Sequence, residues 1–348
     1  MNSRLILFTN PWVNSFVDQL PADALPVFPF FQTVSRLQYK PDAFECKLMC
    51  EPVTDILALP NHNKSFAELA DDRAIELKKL PGTIFVMWSG GIDSTTVITA
   101  ILRTWSTQDL ARLVVLCNSD SIKENPNYFK LIAAKGIKIK PSSANFEQYL
   151  QYGNVITGEL GDQIFGSDIV GGCVKEYGES AINSSWQEIA PRIFDKLSPS
   201  QGSAAFNNYR HIINEAPFDI ITAQDFFWWL NFTQKWQHVK YRSLCVANWK
   251  NPEATFTNLH HFFDTVDFQV WSIHNHHTMK IKDSWSSYKF VAKNYIVDYT
   301  KDQSYLSKLK VPSLQNLYLG QDLTWAIDEN WNFLTKEQAL LRIRKNNE

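Results

Sequence analysis

The sequence lacks the cysteine patterns that mark disulfide-rich and zinc-binding proteins. Its five cysteines include no C-x-x-C pair, and Cys46 and Cys50 have no neighbouring Cys or His pair to complete a zinc site. Cys117 and Cys245 lie in apolar or mixed runs, which are typical of packed thiols. Together these features favour a protein of the reducing cytoplasm.

Excess charge and long hydrophobic runs are also missing. The 348 residues carry 34 Lys and Arg against 36 Asp and Glu, so there is no basic footprint for nucleic acid. No run approaches the ~20 apolar residues of a membrane-spanning helix. The apolar run from Leu5 to Phe8 is too short for the core of a signal peptide. We therefore expect neither a membrane segment nor a nucleic-acid partner, and a length that suits one large domain or two modest ones.

A strand, a glycine turn and a helix follow one another near residue 90. Thr83–Trp88 is an uninterrupted apolar run, typical of a strand buried on both faces. The turn Ser89-Gly90-Gly91 comes next, and the apolar periodicity of Ile92–Trp105 predicts a helix. Such a turn binds anions, because backbone N–H groups point into it and the helix dipole adds positive potential. Glycines there let a phosphate approach the backbone closely.

Three polar side chains complete this loop. Ser89 and Ser94 supply hydroxyl donors, and Asp93 places a carboxylate beside the anion site. A carboxylate next to phosphates makes chemical sense when a divalent cation lies between them, so the loop predicts nucleotide phosphates with Mg²⁺. The Walker A pattern is absent. Instead S-G-G-x-D-S resembles the pyrophosphate loop (PP-loop) of the ATP-pyrophosphatase superfamily, whose members adenylate a substrate. The plainer alternative is a glycine-rich turn that binds nothing.

Strand and helix patterns alternate around this loop. Ser65 begins a predicted helix as a capping residue, and Pro126 begins another. The alternation predicts an α/β fold, a parallel sheet with helices on both faces. Ligands of such sheets bind beyond the carboxyl ends of the strands, where Ser89–Ser94, Asn118 and Gly158 would gather. The strands predicted for this sheet are 83–88, 112–117, 137–140 and 155–157.

The chain is expected to have three parts. Residues 1–64 are rich in proline and predict a small, loop-rich, β-containing N-terminal region. Residues 65–180 predict the ATP-binding α/β core, and residues 181–348 a mainly helical C-terminal part. Within the latter, the aromatic stretch Asp225–Gln237 is apolar on nearly every side and predicts a buried helix. The short strands expected in the N-terminal region are 4–9, 44–49 and 55–59.

A second glycine-rich strand-to-turn transition carries two carboxylates. Thr157–Gly166 reads T-G-E-L-G-D-Q-I-F-G, with Glu159 and Asp162. The S-G-G-x-D-S loop and, about 65 residues on, this G-E-x-x-D-x-[IL]-F-G segment resemble the synthetase domain of asparagine synthetases. That family has an adenine nucleotide α-hydrolase-like fold and relatives among β-lactam synthetases and lasso-peptide cyclases. Its second motif usually reads G-E-G-x-D-E-[LI]-F-G-G, and this chain departs from it at Leu160, Gln163 and Ser167.

The resemblance extends along the chain from about residue 66 to residue 312. His261–Asp264 is similar to a P-F-L-D segment of the family, and Tyr288–Lys293 is similar to its K-x-x-L-R helix. Lys308–Lys310 is similar to its R-x-K element, with a lysine in the place of the arginine. In the family the lysine of that element lies by the reaction centre.

The resemblance implies an ATP-dependent, AMP-forming amide ligase. A substrate carboxylate would attack the α-phosphorus of ATP, pyrophosphate would leave, and ammonia or an amine would attack the acyl-adenylate. Glu159 would orient or deprotonate the amine, and Lys310 would stabilise negative charge. The candidate residues are Ser89, Gly90, Gly91, Asp93, Ser94, Asn118 and Gly158 for ATP, Asp93 and Asp162 for Mg²⁺, and Glu159, Lys310 and Lys289 for catalysis.

The nitrogen source is expected to lie outside this chain. Glutamine-dependent asparagine synthetases carry a nucleophilic cysteine directly after the initiator methionine, where this sequence has Asn2. About 80 residues precede the loop strand, which leaves no room for a glutaminase domain. The expected partners are a small-molecule or peptide carboxylate and an amine, with a separate ammonia-supplying or substrate-carrying protein and a homo-oligomer as further options.

Two other functions compete with the amide ligase. One is a PP-loop enzyme that adenylates a nucleobase or another heterocycle in nucleotide or tRNA modification. The other is a non-catalytic synthetase-like binding protein, for which Leu160 and Gln163 leave room.

Overall fold

The structure is a computed structural model, and its contacts divide the chain into two units. Unit 1 comprises residues 1–58, 166–248 and 318–348, and unit 2 comprises residues 59–165 and 249–317. The boundaries expected at residues 64/65 and 180/181 stay a prediction. The residues that the structure describes are 5–7, 36, 52–142, 147–197, 202–236, 239, 257–282, 284–309, 326–328, 333–334, 337–338 and 341.

Helices and strands make up most of the described residues. The strands are β1 (Leu5–Leu7), β2 (Thr83–Met87), β3 (Leu113–Cys117), β4 (Lys138–Pro141), β5 (Gly153–Thr157), β6 (Leu259–His261), β7 (Ala326–Asp328) and β8 (Phe333–Leu334). The α-helices are α1 (Val53–Leu57), α2 (Phe66–Lys78), α3 (Ile92–Thr104), α4 (Thr107–Leu110), α5 (Ser119–Glu124), α6 (Pro126–Ala134), α7 (Glu147–Leu150), α8 (Gly161–Phe165), α9 (Ile169–Tyr177), α10 (Trp186–Leu197), α11 (Gly202–Tyr209), α12 (Ala223–Gln234), α13 (Val266–His274), α14 (His276–Met279) and α15 (Phe290–Thr300). Shorter 3₁₀ segments are Glu179–Ile182, Arg210–Glu215, Trp285–Ser287 and Gln303–Ser307.

Unit 2 is built on a five-stranded parallel sheet in the order β4-β3-β2-β5-β6. Val86 of the central strand pairs with Val115 on one side and Ile156 on the other. All five residues of β3 are buried, as expected for a strand covered on both faces. At the edge, β4 is exposed along its length and carries lysines and a proline, which discourage further pairing. The predicted α/β fold with a parallel sheet is confirmed.

The strand order reverses between β2 and β5. The chain moves from β2 outward to β3 and β4, and then returns to the other side of β2 with β5 and β6. Right-handed crossovers in the two directions put helices on opposite faces of the sheet. In sheets of this topology ligands bind in a crevice beyond the carboxyl ends of the strands that flank the reversal, which here are β2 and β5.

Helix α2 packs against α3, and α3 is buried along most of its length. Ser65 caps α2 by accepting from the N–H of Glu68, whose side chain accepts in return, so the predicted capping box is confirmed. In α3 the buried hydroxyls of Thr96 and Thr99 donate to carbonyls one turn back, which satisfies them inside the core.

No helix in the described ranges has the length and apolar composition needed to cross a bilayer.

Unit 1 contains a short sheet and a buried aromatic helix. Strand β7 pairs antiparallel with β1 and β8, and β1 agrees with the strand expected at 4–9. Helix α12 is buried along its whole length, as predicted for the aromatic stretch. Its polar groups have partners: Asn231 donates to the Gly166 carbonyl at 2.6 Å, and the Trp229 indole donates to the Ile212 carbonyl.

One predicted strand is wrong and another is not testable. The strand expected at 55–59 is helix α1, Val53–Leu57. Val53 and Ile56, three residues apart, are its two buried positions, a helical spacing that a short apolar run hides. Asp55 in the first turn also favours the helix. The strand expected at 44–49 lies outside the described residues.

The sheet order generates a matched stability test. Ile156 in β5 is 0% exposed, whereas Ile139 in the edge strand β4 is 37% exposed. We expect Ile156→Ala to cost about 2–5 kcal/mol of unfolding free energy, and Ile139→Ala to cost less than about 1 kcal/mol. Urea unfolding followed by tryptophan fluorescence measures both. Equal losses at the two positions would contradict the sheet order.

Candidate functional site

The loops after β2 and β5 touch at the reversal point of the sheet. A Cβ atom on Gly158 would lie 2.7 Å from the Ser94 nitrogen and 2.9 Å from the Asp93 carbonyl carbon. Gly161 faces the Asp93 side chain just as closely, since its Cβ would lie 3.0 Å from that of Asp93. Only glycine fits at these positions. The structure thus brings the two predicted motifs into direct contact, although about 65 residues separate them in sequence.

The loop after β3 joins the same edge. Gly90 has φ of +82° and faces the Ser121 carbonyl, so glycine is required both for its backbone angle and for this close approach. Asn118 ends β3 and caps α5, because its Oδ1 accepts from the Ser121 N–H at 2.9 Å and the Ser121 hydroxyl at 3.0 Å. Asn118 therefore lies where the sequence predicted, but its carbonyl oxygen holds a helix end.

The serine hydroxyls of the first loop bond to the loop itself. Ser89 Oγ lies 3.0 Å from Ser94 Oγ, which also accepts from the Ser89 N–H at 3.1 Å. The Gly91 N–H donates to Ser89 Oγ at 3.3 Å. Below them, the Trp88 indole donates to Thr95 at 3.1 Å. The loop is held in shape by these bonds, which preorganises it for a ligand.

Helix α3 presents its N-terminus at this loop. Gly91 is the N-cap and supplies no side-chain hydrogen bond to the first turn. A helix start carries partial positive charge, and such starts bind anions in many proteins. Asp93 lies in this first turn, where the helix dipole stabilises its carboxylate.

A buried ion cluster, formed by Lys289 with Asp93 and Asp162, lies at the centre of the site. The Lys289 ammonium is 2.5 Å from both carboxylate oxygens of Asp93 and 2.7 Å from Asp162 Oδ1. The lysine side chain is 0% exposed, whereas those of Asp93 and Asp162 are 19% and 22% exposed. The Tyr288 hydroxyl donates to the same Asp162 oxygen at 2.9 Å. The sequence named all three charged residues but did not predict that they pair with one another.

Two residues of the site have a left-handed backbone. Lys289 has φ of +59° and is the N-cap of α15, and Leu160 has φ of +72°. Such a conformation costs roughly 1–2 kcal/mol for a non-glycine residue and persists only where the surroundings impose it. Leu160 stands where the resembling family has glycine, and its positive φ explains why glycine suits that position. Burial of the Leu160 side chain, which is 1% exposed, offsets the strain.

Two further lysines, the buried Lys293 and the half-buried Lys308, lie close to this cluster. Lys293 is 1% exposed and donates to the Ser286 carbonyl at 2.6 Å. Burial, together with the like charges of Lys289 and Lys308, lowers the pKa of Lys293 to about 8. Lys308 donates to the Glu124 carbonyl at 2.7 Å, and burial lowers its pKa against the opposing effect of the Glu124 carboxylate. These lysines concentrate positive charge, which suits an anionic ligand.

Glu124 lies between Lys308 and the loop Ser89–Ser94. Its Oε1 is 4.0 Å from the Lys308 ammonium, and a Cβ on Gly91 would lie 3.4 Å from that same oxygen. Sequence reasoning missed Lys293 and Glu124 as site residues. Lys293 lies in the segment similar to the K-x-x-L-R helix, from which only Lys289 was named as a candidate, whereas Glu124 belongs to no motif and reaches the site through the fold.

The remaining catalytic candidates are Glu159 and Lys310. Glu159 is half-buried, and its N–H donates to Thr157 Oγ1 at 3.3 Å. Thr157 Oγ1 lies 2.7 Å from His261 Nδ1, which ties the end of β5 to β6. Glu159 thus follows β5 directly at the crevice. Lys310 lies outside the described residues.

The carboxylates of Asp93 and Asp162 fit a divalent cation that a ligand completes. Mg²⁺ prefers oxygen ligands and is commonly held by one or two carboxylates together with substrate phosphates and water. Both carboxylates already face a single cationic group, the Lys289 ammonium. In the described ranges no three His, Cys, Asp or Glu side chains group as a metal site.

The pKa of Lys293 predicts a specific pH dependence of stability. Its usual value is 10.5 and its folded value about 8, so the unfolded chain holds this proton more tightly between those pH values. The cost of burying the charge is therefore largest below pH 8 and fades as the pH rises toward 10.5. We expect the melting temperature of Lys293→Met, relative to the unsubstituted protein, to fall as the pH rises through this window.

Thermal unfolding at pH values from 7 to about 10 measures that difference. Lys301→Met is the control, since Lys301 follows the same helix but is 75% exposed, and its difference should stay flat. A pH-independent difference for Lys293→Met would show that the ammonium is not penalised by burial.

Comparisons with known proteins add no family to this picture. Neither a scan against protein-family models nor a search of curated proteins found a match to this chain. The resemblance to asparagine synthetases therefore stays a prediction from the sequence motifs, and the function is argued from the geometry of the site.

Proposed function

We propose that this chain is an ATP-dependent, AMP-forming amide ligase that adenylates a carboxylate and transfers it to ammonia or an amine. The observation that carries the proposal is the meeting of the two motifs at the sheet reversal. There Asp93 and Asp162 face one buried ammonium beside the N-terminus of a helix. A loop that only turned the chain would not need two carboxylates and a buried lysine at this point.

The loop after β2 would bind the phosphates of ATP. Backbone N–H groups at the start of α3 would donate to phosphate oxygens, together with the Ser89 hydroxyl, which lies 3.0 Å from that of Ser94. Lys293 and Lys308 add positive charge on the side of Glu124. Charge that grows on departing pyrophosphate would be stabilised by groups already fixed in place, the arrangement from which enzymes gain most.

The carboxylates of Asp93 and Asp162 would hold Mg²⁺ together with phosphate oxygens. When bound, the cation would polarise the phosphoryl oxygens as a Lewis acid. The two aspartates come from α3 and α8, and the tight packing at Gly161 sets their separation. Tyr288 orients Asp162 through its hydroxyl.

Glu159 would serve the second half-reaction. It is half-buried, next to the loop that carries Asp162, and its carboxylate could accept a proton from an attacking amine. Lys310, which the resemblance assigns to the reaction centre, would neutralise charge in both half-reactions. Substrates of this class are a carboxylic acid and a nitrogen nucleophile.

Asp93→Asn tests the adenylation half of this proposal. We expect ATP–pyrophosphate exchange, measured across a panel of carboxylates, to fall by at least about a hundredfold, roughly 2.7 kcal/mol of barrier. Asp120→Asn is the matched control, because Asp120 also follows a strand of this sheet but has a side chain 62% exposed. Circular dichroism checks that both variants fold. Exchange near the unsubstituted level in Asp93→Asn would refute the assignment.

Glu159→Gln separates the two half-reactions. If its carboxylate acts only on the amine, we expect exchange to stay within about threefold while amide formation falls by about a hundredfold. Both rates are measured on one preparation, so each serves as the control for the other. A joint fall would place Glu159 in adenylation instead.

A further inference from the structure

We propose that Lys289 is a built-in counter-ion that holds Asp93 and Asp162 together and is exchanged for a divalent cation when the anionic ligand binds. The inference deepens the proposed function, on which its choice of ligand rests. Competition between the ammonium and a cation follows from the geometry alone.

The ammonium occupies the position between the two carboxylates. It lies 2.5 Å from the Asp93 oxygens and 2.7 Å from Asp162 Oδ1, distances of direct charge-assisted hydrogen bonds. A cation that bridges these carboxylates needs the same oxygens. Because an ammonium and a divalent cation repel each other strongly at such short range, the site holds one of them between the aspartates at a time.

Release of the ammonium has a cost that an anion removes. The Lys289 side chain is 0% exposed, and a buried ammonium deprived of its partners is strongly destabilising. The start of α3 adjoins Asp93, so a polyanion bound there would offer new oxygens to the displaced lysine. Cation and polyanion therefore bind cooperatively, and by linkage each raises the affinity of the other.

The chemistry of lysine suits this exchange. Its charge is a compact ammonium on a flexible stem, whereas a guanidinium would fix two planar bonds. Lys289 has a left-handed backbone and is the last residue before α15. The neighbouring ammoniums of Lys293 and Lys308 bond to backbone carbonyls, so they do not compete for the aspartates in the same way.

Binding of Mn²⁺ without nucleotide tests the exchange directly. Electron paramagnetic resonance of free Mn²⁺ gives the affinity of the full chain. We expect Lys289→Met to tighten Mn²⁺ binding by about tenfold or more, within the usual range of coupling between sites. Lys301→Met is the control: it removes an exposed ammonium that follows the same helix and pairs with Asp298 at 3.2 Å, and it should change the affinity by less than about threefold. Adding Asp162→Asn to Lys289→Met should abolish the gain.

Each outcome decides the proposal. Unchanged, weaker or undetectable Mn²⁺ binding in Lys289→Met overturns it, and so does an equal gain in Lys301→Met. If Lys289→Met does not fold, Lys289→Gln carries the same expectation. A non-hydrolysable ATP analogue should tighten Mn²⁺ binding less in Lys289→Met than in the unsubstituted protein. If the analogue does not bind at all while Lys289→Met still gains affinity for Mn²⁺, the ligand assigned by the proposed function fails and the counter-ion exchange stands.

Discussion

Burial of one ammonium between two carboxylates constrains the whole candidate site. Lys289 is removed from water completely, so it must keep both Asp93 and Asp162 within hydrogen-bonding distance. Those partners lie in two helices that start at the carboxyl ends of β2 and β5. The ion cluster therefore fixes the relative positions of two loops and the start of α15, and an error in any of the three would leave a buried charge unpaired.

The sheet makes this meeting geometrically available. Parallel strands deliver all their carboxyl ends to one edge, and reversal of the strand order between β2 and β5 opens a gap there. Glycine allows the two loops to touch, because a side chain at Gly158 or Gly161 would collide with α3. These glycines serve packing between loops whether or not a phosphate is bound. The argument for a ligand rests on the charged groups and on the helix start rather than on the glycines.

Local patterns predicted the sheet and the loops, whereas the pairing of charges was beyond them. Apolar runs and glycine turns act over a few residues, but Lys289 bonds to a carboxylate 196 residues away, a contact that only the fold creates. The capping role of Asn118 was within reach, since an Asn three residues before a Ser is a capping pattern. The left-handed backbone of Leu160 was not, because leucine gives no local signal for it. The strand predicted at 55–59 was wrong for a different reason, because a short apolar run suits either a strand or a helix.

The use of lysine rather than arginine gives the site adjustable charge. Lys293 and Lys308 stand where the K-x-x-L-R and R-x-K patterns of the resembling family have arginine. A guanidinium stays charged under all ordinary conditions, so arginines there would add fixed positive charge beside Lys289. Buried lysines respond to their surroundings: burial and mutual repulsion lower the pKa of Lys293 to about 8, and a bound polyanion would raise it again. Lys293 and Lys308 can then lose a proton more readily than exposed lysines when no anion compensates their charge. This response limits the electrostatic cost of placing Lys293 close to Lys289 and Lys308.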